Sequence, residues 1–269
     1  MGKIKNVPFR VFCYVIVFLF LFIYLFPLFF VANTSLKSAQ DYLLHPTALT
    51  STWSFGNYIT AWNKANFGAY IGNSILYTGV CTICSLLLSL LIAFPISRKY
   101  VPGAGFLYLL FLCGLFLPNG MIPTFQMVLN MGLYDTKIGY MLVMTGVNAT
   151  SVFFFTGYFK SIPRELDEAA AIDGCGYLRY VIRCIVPLAQ PAMVSMGMLS
   201  MIGVWNDIVS STIYLTSESN YNITRGLFVF TGQYSNDWTL TAAGLLVVAA
   251  PLILIYIFGQ RYIAVSYTH

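Results

Sequence analysis

The sequence predicts an all-α, polytopic integral membrane protein in which six helices cross the bilayer and a charged elbow joins the fourth span to the fifth. Hydrophobic residues occupy 58% of the 269 positions and charged residues only 9%, whereas a soluble domain usually carries about 25% charge. The mean hydropathy is +0.76. The apolar runs are continuous and helix-length, unlike the alternating segments of about ten residues in a β-barrel. A chain of this length suits one membrane domain.

Six apolar runs define the predicted spans, which cover residues 11–32, 71–97, 106–128, 138–159, 188–214 and 240–258. The first run is too long for the core of a signal peptide, so we interpret it as a retained span. Basic residues set the orientation, because cytoplasmic loops are enriched in Lys and Arg. With both termini in the cytoplasm, the inner side holds Lys3, Lys5, Arg10, Arg98, Lys99, Lys160, Arg164, Arg179, Arg183 and Arg261. The outer side then holds only Lys37, Lys64, Lys137 and Arg225.

The connections on the outer side are polar. A short amphipathic helix is expected near residues 55–65, where aromatic and apolar side chains recur at helical spacing. Residues 132–136 form a short turn, and residues 215–238 form a polar segment that contains tyrosine.

The third span is interrupted by Pro118, Asn119, Gly120 and Pro123. Proline and glycine are tolerated at membrane depth where the freed backbone faces protein or a water-filled cavity. Two interpretations stay open: a packing kink, or a bent helix that lines a solute path and includes Asn119.

The fifth span carries Trp205, Asn206 and Asp207, and Asp207 is the only carboxylate within a predicted span. A charge at the bilayer centre costs about 2.5–3.5 kcal/mol on insertion scales, so it usually faces a bundle interior or a polar cavity. Carboxylate, amide and aromatic ring together can bind sugar hydroxyls and sugar C–H faces. The alternative is that Asp207 and Asn206 bond the backbone or another helix and fix the packing.

The longest charge-rich stretch lies between the fourth and fifth spans, within the loop of residues 160–187. We call residues 162–187 the elbow. Pro163 and the acids that follow it favour the start of a helix, and Gly174 favours its end. A second short helix is expected over about 176–185, with Arg179 and Arg183 one turn apart, until Pro187 breaks it. From the residues alone, the elbow either lies among lipid headgroups or binds a partner that approaches Ala170 and Gly174 closely.

The elbow resembles the EAA motif of ABC importer permeases, in the carbohydrate (maltose-type) branch. The resemblance is carried by Glu168-Ala169-Ala170, Gly174 and Pro187, and by the flanking residues Phe159, 162–166 and 172–174. Many members end this motif as I-x-L-P, and the present sequence departs from it at Cys184 and Val186. In the family this elbow is the coupling helix, which docks into a groove of a cytoplasmic ATPase subunit.

The resemblance implies roles and partners. Glu168 and Asp173 would make polar contacts with the ATPase, while Ala169, Ala170 and Gly174 would allow close packing and Pro187 would end the motif. The expected assembly contains a second permease subunit, two ATPase subunits that bind ATP and Mg²⁺, and a solute-binding protein on the outer side. The chain would be the permease subunit of a bacterial importer for a sugar or oligosaccharide, in the cytoplasmic membrane.

Other functional classes find little support in the sequence. There is no GxxxxGK[ST] loop, and the two histidines argue against a metal or catalytic cluster, so we expect no catalytic site, metal site or cofactor in this chain. The net charge of +5 does not indicate nucleic-acid binding, because the basic residues flank the spans. The six cysteines lie in apolar runs or the elbow, which implies no disulfide framework. An ABC permease for a non-sugar solute and a stand-alone ion-coupled secondary transporter remain alternatives.

Overall fold

The computed structural model describes residues 7–51, 53–117, 120–230 and 237–266, in which helices predominate and no strand is assigned. The predicted all-α class is confirmed. The α-helices are α1 (Val7–Ser35), α2 (Ala39–Leu44), α3 (Gly56–Lys64), α4 (Phe67–Arg98), α5 (Ala104–Gly114), α6 (Met121–Asn130), α7 (Lys137–Met144), α8 (Ala149–Ser161), α9 (Glu165–Ile172), α10 (Tyr177–Tyr180), α11 (Val186–Leu188), α12 (Gln190–Trp205), α13 (Val209–Tyr214), α14 (Ile223–Gly226) and α15 (Trp238–Ser266). A π-helical turn, Val181–Ile185, joins α10 to α11.

Three helices in the described part of the chain are long and apolar enough to cross a membrane. They comprise Phe9–Ser35, Phe67–Arg98 and Trp238–Ile257. Two bent pairs, α7 with α8 (47°) and the segment Tyr177–Leu188 with α12 (75°), would raise the number to five if each pair forms one span. The third predicted span is divided between α5 and α6, so the count of six stays a prediction.

Two predicted segments differ from the structure in where the helix breaks. The fifth predicted span is two helices, because α12 ends at Trp205 and α13 begins at Val209. The second helix of the elbow was expected to break at Pro187, but helical backbone continues through Pro187 and ends at Leu188. Pro187 lies two residues after the π-helical turn, and the sharp bend follows at Ala189.

The chain divides into two compact units, of which the first comprises Met1–Gly68 and Gly226–Ala250. Its polar connection after α1 is held by side chains that bond distant backbone groups. Asn33 Nδ2 donates to the carbonyl of Ala48 (2.9 Å), and Asn57 Nδ2 donates to the carbonyls of Ser35 (2.8 Å) and Lys37 (2.7 Å). The predicted amphipathic helix near residues 55–65 is confirmed as α3.

The second unit comprises Ala69–Arg225 and Pro251–His269, and α4 contributes to both of its described apolar clusters. One cluster joins Leu90 and Phe94 of α4 to Phe155 and Phe159 of α8 and to side chains of residues 180–196. The other joins Tyr77 and Cys81 of α4 to residues of α6, α7, α12 and α13. Helix α4 therefore packs into both clusters and links them within this unit.

Gly139 in α7 is a tightly packed position of this unit. A Cβ at Gly139 would lie 2.1 Å from the carbonyl oxygen of Leu133, a backbone atom that cannot rotate away. We expect Gly139→Ala to lower the free energy of unfolding by about 3 kcal/mol, the upper end of typical overpacking effects. Thermal unfolding of the detergent-solubilised protein, followed by helical circular dichroism, measures this.

The matched control is Gly157→Ala in α8. A Cβ there meets nothing within 4 Å, and alanine favours the helix, so the midpoint should stay unchanged or rise. Equal midpoints for the two variants would contradict the close contact between Gly139 and Leu133.

Candidate functional site

The elbow is built on α9, whose C-terminal end is shaped by a glycine. Gly174 has a left-handed φ of 64°, a conformation that glycine adopts without a Cβ penalty. The amide of Cys175 donates to the carbonyl of Ala170 (2.9 Å), and the amide of Gly174 donates to the carbonyl of Ala171 (3.1 Å). These are the two bonds of a Schellman motif, and they confirm the predicted end of the helix at Gly174.

One side of the elbow packs against the chain's own core. Ala170 and Cys175 contact the buried cluster that includes Phe94 and Phe159. Ala169, by contrast, is exposed. The two alanines of the motif therefore lie in different environments, and Ala170 is held by its own chain.

The other side of α9 exposes apolar and acidic side chains together. Leu166 is 43% exposed and Ile172 is 86% exposed, and with Ala169 they recur at a spacing of three, which places them on one face of a helix. The carboxylates of Glu168 and Asp173 are exposed beside them. We call Leu166, Glu168, Ala169, Ile172 and Asp173 the exposed face of α9. Exposed apolar side chains rimmed by charge are typical of protein interaction sites.

Asp167 lies on the inward side of α9, where three side chains hold its carboxylate. Arg98 Nε lies 2.8 Å from Asp167 Oδ2. The Tyr180 hydroxyl donates to Oδ1 (2.5 Å) and the Tyr100 hydroxyl donates to Oδ2 (3.1 Å). We call Arg98, Tyr100, Asp167 and Tyr180 the Arg98–Asp167 cluster. Burial, together with the bond to Asp167, raises the pKa of Tyr180, so its hydroxyl stays protonated as the donor.

The Arg98–Asp167 cluster was not predicted from the sequence, in which Arg98 contributed only to the predicted orientation and Asp167 only to the predicted start of a helix. One local signal was present. Asp167 and Ala170 are three residues apart and share a helix face, so an apolar Ala170 face predicts that Asp167 points inward as well. The partner of Asp167 could not be identified from that spacing.

Asp207 lies in the break between α12 and α13, and its carboxylate binds backbone amides of α13. Its Oδ2 accepts from the amide of Ser211 (2.8 Å) and its Oδ1 from the amide of Ser210 (3.2 Å). The Tyr140 hydroxyl of α7 donates to Oδ2 (3.0 Å). Both carboxylate oxygens are thus engaged by the chain itself, which fits the packing alternative for this residue.

Trp205 and Asn206, two further candidates for a solute path, differ in exposure. Trp205 is 2% exposed, and its carbonyl accepts from the hydroxyl of Thr224 (2.6 Å). Asn206 is exposed. Asn119 lies outside the described residues. The substrate path through these residues stays a prediction.

A groove of about 910 Å³ runs along α12 in the second unit. Its polar lining residues are Thr82 and Gln190, and Pro187 contributes to the wall. The rest of the lining is apolar, which suits hydrocarbon or an apolar helix better than sugar hydroxyls.

The far end of α4 from the elbow holds the segment that follows α13. Asn73 Nδ2 donates to the carbonyls of Ser219 and Tyr221 (both 2.9 Å). The Ser74 hydroxyl accepts from the amide of Ile223 (2.8 Å), and the Tyr77 hydroxyl donates to a further carbonyl of the segment (2.8 Å). We call residues 219–223 the anchored segment.

Asp135, in the turn before α7, fixes the residues that lead into the anchored segment. Its Oδ1 accepts from the amides of Thr216 (2.8 Å) and Ser217 (2.9 Å). Burial alone would raise the pKa of Asp135, but the hydrogen bonds from Ser217 and Thr216 outweigh it and lower the pKa. The carboxylate is therefore ionised, and it acts as a structural acceptor.

Comparison with known proteins finds clear relatives, although no family model matches the chain. It is 32% identical to the inner membrane ABC transporter permease protein YcjP of Escherichia coli, over 91% of this chain and 90% of that protein. It is 31% identical to the diacetylchitobiose uptake system permease protein NgcG of Streptomyces coelicolor (89% and 81%). It is 27% identical to the melibiose/raffinose/stachyose import permease protein MelC of Bacillus subtilis (88% and 87%).

A solved structure shares the fold. A chain from the crystal structure of a bacterial ABC transporter for import of the acidic polysaccharide alginate superposes with a TM-score of 0.87 at 22% identity. The similarity covers 97% of this chain and 99% of that chain.

The hydrogen bonds of Asp207 between α12 and α13 predict that this residue contributes to the stability of the fold. Asp207→Ala removes the acceptor of the Ser210 and Ser211 amides in α13 and of the Tyr140 hydroxyl, so we expect a loss of about 2 kcal/mol. Asn206→Ala, at the neighbouring exposed position, should change stability by less than about 0.5 kcal/mol. Thermal unfolding in detergent measures both variants. A stable Asp207→Ala chain would show that these bonds do not hold the break together.

Proposed function

The chain belongs to the ABC transporter permeases, and from this membership we propose that it is a membrane subunit of a bacterial ABC importer for a sugar or oligosaccharide. The observation that carries the proposal is the elbow, whose exposed face is held in position by the Schellman turn and by the Arg98–Asp167 cluster. A carbohydrate substrate is supported by the relatives named for diacetylchitobiose and for melibiose, raffinose and stachyose.

In this proposal the chain crosses the cytoplasmic membrane six times, with both termini in the cytoplasm. The bias of basic residues toward one side supports this orientation. This orientation puts Lys37, Lys137 and Arg225 on the outer side. Each donates to a backbone carbonyl or amide oxygen of its own chain, which gives each charge a local structural role there.

Two cytoplasmic ATPase subunits, which hold ATP and Mg²⁺, are the proposed partners of the elbow. Ile172 and Leu166 offer apolar area, and Glu168 and Asp173 offer charges for polar contacts. Gly174 is exposed and carries no side chain, so a partner can approach the backbone there. A displacement of the elbow then passes along α10 and α11 to α12, through the bend at Ala189.

The proposed partners within and outside the membrane are a second permease subunit and a solute-binding protein. The apolar groove along α12 suits an apolar helix of the second permease subunit. On the outer side, the anchored segment and the turn at Asp135 form a surface held by side-chain hydrogen bonds. A fixed surface of this kind supports docking of a solute-binding protein.

The alternatives make different demands on the chain. An ABC permease for a non-sugar solute would have the same elbow, so only a transport assay distinguishes it from a sugar permease. A stand-alone ion-coupled transporter needs a carboxylate that is free to exchange ions. Asp207 instead bonds two amides and a tyrosine hydroxyl, which argues against such an exchange.

Co-purification followed by reconstitution tests the proposal. The chain is expressed with its cellular partners, purified under mild detergent and placed in proteoliposomes with the captured solute-binding protein. We expect ATP-dependent uptake of a member of a panel of labelled di- and oligosaccharides, and no uptake by the chain alone. Solute flux by the chain alone, or purification without an ATPase subunit, would contradict the proposal.

Gly174→Lys tests the role of the elbow. The variant places a long cation where a partner approaches, so we expect sugar uptake to fall at least tenfold while the chain remains in the membrane. Uptake in proteoliposomes and membrane content by immunoblot give the two measurements.

Gly103→Lys is the matched control. Gly103 also has a left-handed φ (74°) with open space around it, so lysine introduces the same backbone strain and the same charge at a position outside residues 162–187. It should transport like the parent. Normal uptake by Gly174→Lys, or an equal loss in both variants, would refute a docking role for this glycine.

A further inference from the structure

The Arg98–Asp167 cluster joins elements that are distant in sequence. Arg98 is the last residue of α4, and its side chain is only 3% exposed. Besides its 2.8 Å contact with Asp167, it donates from Nη1 to the carbonyl of Ile162 at the end of α8 (3.0 Å). Tyr180 brings α10 onto the same carboxylate. One buried pair therefore ties α4, α8, α9 and α10 together.

The side chain of Arg98 is shielded from water and that of Asp167 is 11% exposed, so the pair restricts the local geometry. Charges in a low-dielectric environment interact more strongly than exposed ones, and removal of one partner leaves an uncompensated buried charge. Phe94 lies against Arg98, with its ring centroid 5.9 Å from the guanidinium carbon. Because Asp167 is held from three directions, α9 cannot shift relative to the end of α4 without breaking these contacts.

The other end of α4 is bonded just as specifically to the anchored segment. Asn73, Ser74 and Tyr77 make four hydrogen bonds to residues 219–223. The assigned helix is continuous from Phe67 to Arg98, although it contains Pro95. At 1.5 Å per residue, Asn73 and Arg98 lie about 38 Å apart along its axis. A single helix thus connects the elbow to the opposite side of the unit.

We propose that α4 transmits displacements of the elbow to the anchored segment, and that Arg98, Asp167 and Tyr180 are positioning residues that couple α9 to it. The proposal rests on the function proposed above, since it needs an ATPase to move the elbow. Chain connectivity alone carries that movement to α8 and, through α10 and α11, to α12. The cluster adds a route to α4, which no covalent connection supplies. The anchored segment then responds to the state of the ATPase.

The test uses the complete complex with its ATPase subunits and solute-binding protein in proteoliposomes. The measured quantity is the ratio of sugar molecules imported to ATP molecules hydrolysed. Asp167→Asn keeps the size of the side chain but removes its charge, and we expect at least a fivefold lower ratio with ATP hydrolysis within twofold of the parent. Tyr180→Phe removes one hydroxyl and should lower the ratio in the same direction.

Tyr177→Phe is the control, because it removes a hydroxyl from the same helix that is not bonded to Asp167. Its ratio should equal that of the parent. A role in folding alone would reduce the amount of assembled complex and leave the ratio of import to hydrolysis unchanged. If Asp167→Asn fails to assemble, Tyr180→Phe decides the question.

The outcomes separate this inference from the proposed function. If the parent complex imports sugar and an assembled Asp167→Asn or Tyr180→Phe complex keeps the parental ratio, the transmission through α4 is wrong and the proposed function stands. The same conclusion follows if Tyr177→Phe lowers the ratio as much as Tyr180→Phe. If the parent complex imports no sugar, the proposed function itself fails.

Discussion

In a chain this apolar, each backbone N–H and C=O that leaves a helix must find a partner within the protein, because hydrocarbon offers none. The helix restarts show how this is achieved. Thr136 accepts from the amide of Gly139 at the start of α7, Asn148 accepts from the amide of Thr150 at the start of α8, and Asp207 accepts from Ser211 in α13. The breaks are thus places where a polar side chain replaces a helix hydrogen bond.

Side chains also satisfy backbone groups in the polar segments between the helices. Asn73 satisfies two carbonyls of the anchored segment, and Asp135 satisfies two amides just before it. Lys37, which is fully buried, donates to the carbonyls of His45 and Pro46. Segments that look like flexible loops in the sequence are therefore fixed by a few long-range side-chain bonds.

The elbow combines a fixed side and an exposed side on one short helix. Asp167 and Ala170 are held inward by an ion pair and an apolar cluster. Leu166, Ala169 and Ile172 are left exposed on α9. A buried ion pair contributes little net stability compared with apolar packing, but it restricts the geometry that the chain can adopt. In this protein it fixes the orientation of α9 relative to the end of α4. The direction in which the exposed face of α9 points follows from that orientation.

The sequence by itself determined the all-helical class, the approximate apolar segments, helix α3 and the turn at Gly174. Each of these follows from local rules of composition, periodicity and glycine conformation, so no tertiary information was needed. Tertiary structure alone decided which side chains hold the carboxylate of Asp167, where the fifth span breaks and what holds Asp207. Those answers depend on contacts such as Tyr100 with Asp167, which are 67 residues apart. Residue spacing along the chain does not predict such pairs, because they form only when packed helices bring distant side chains together.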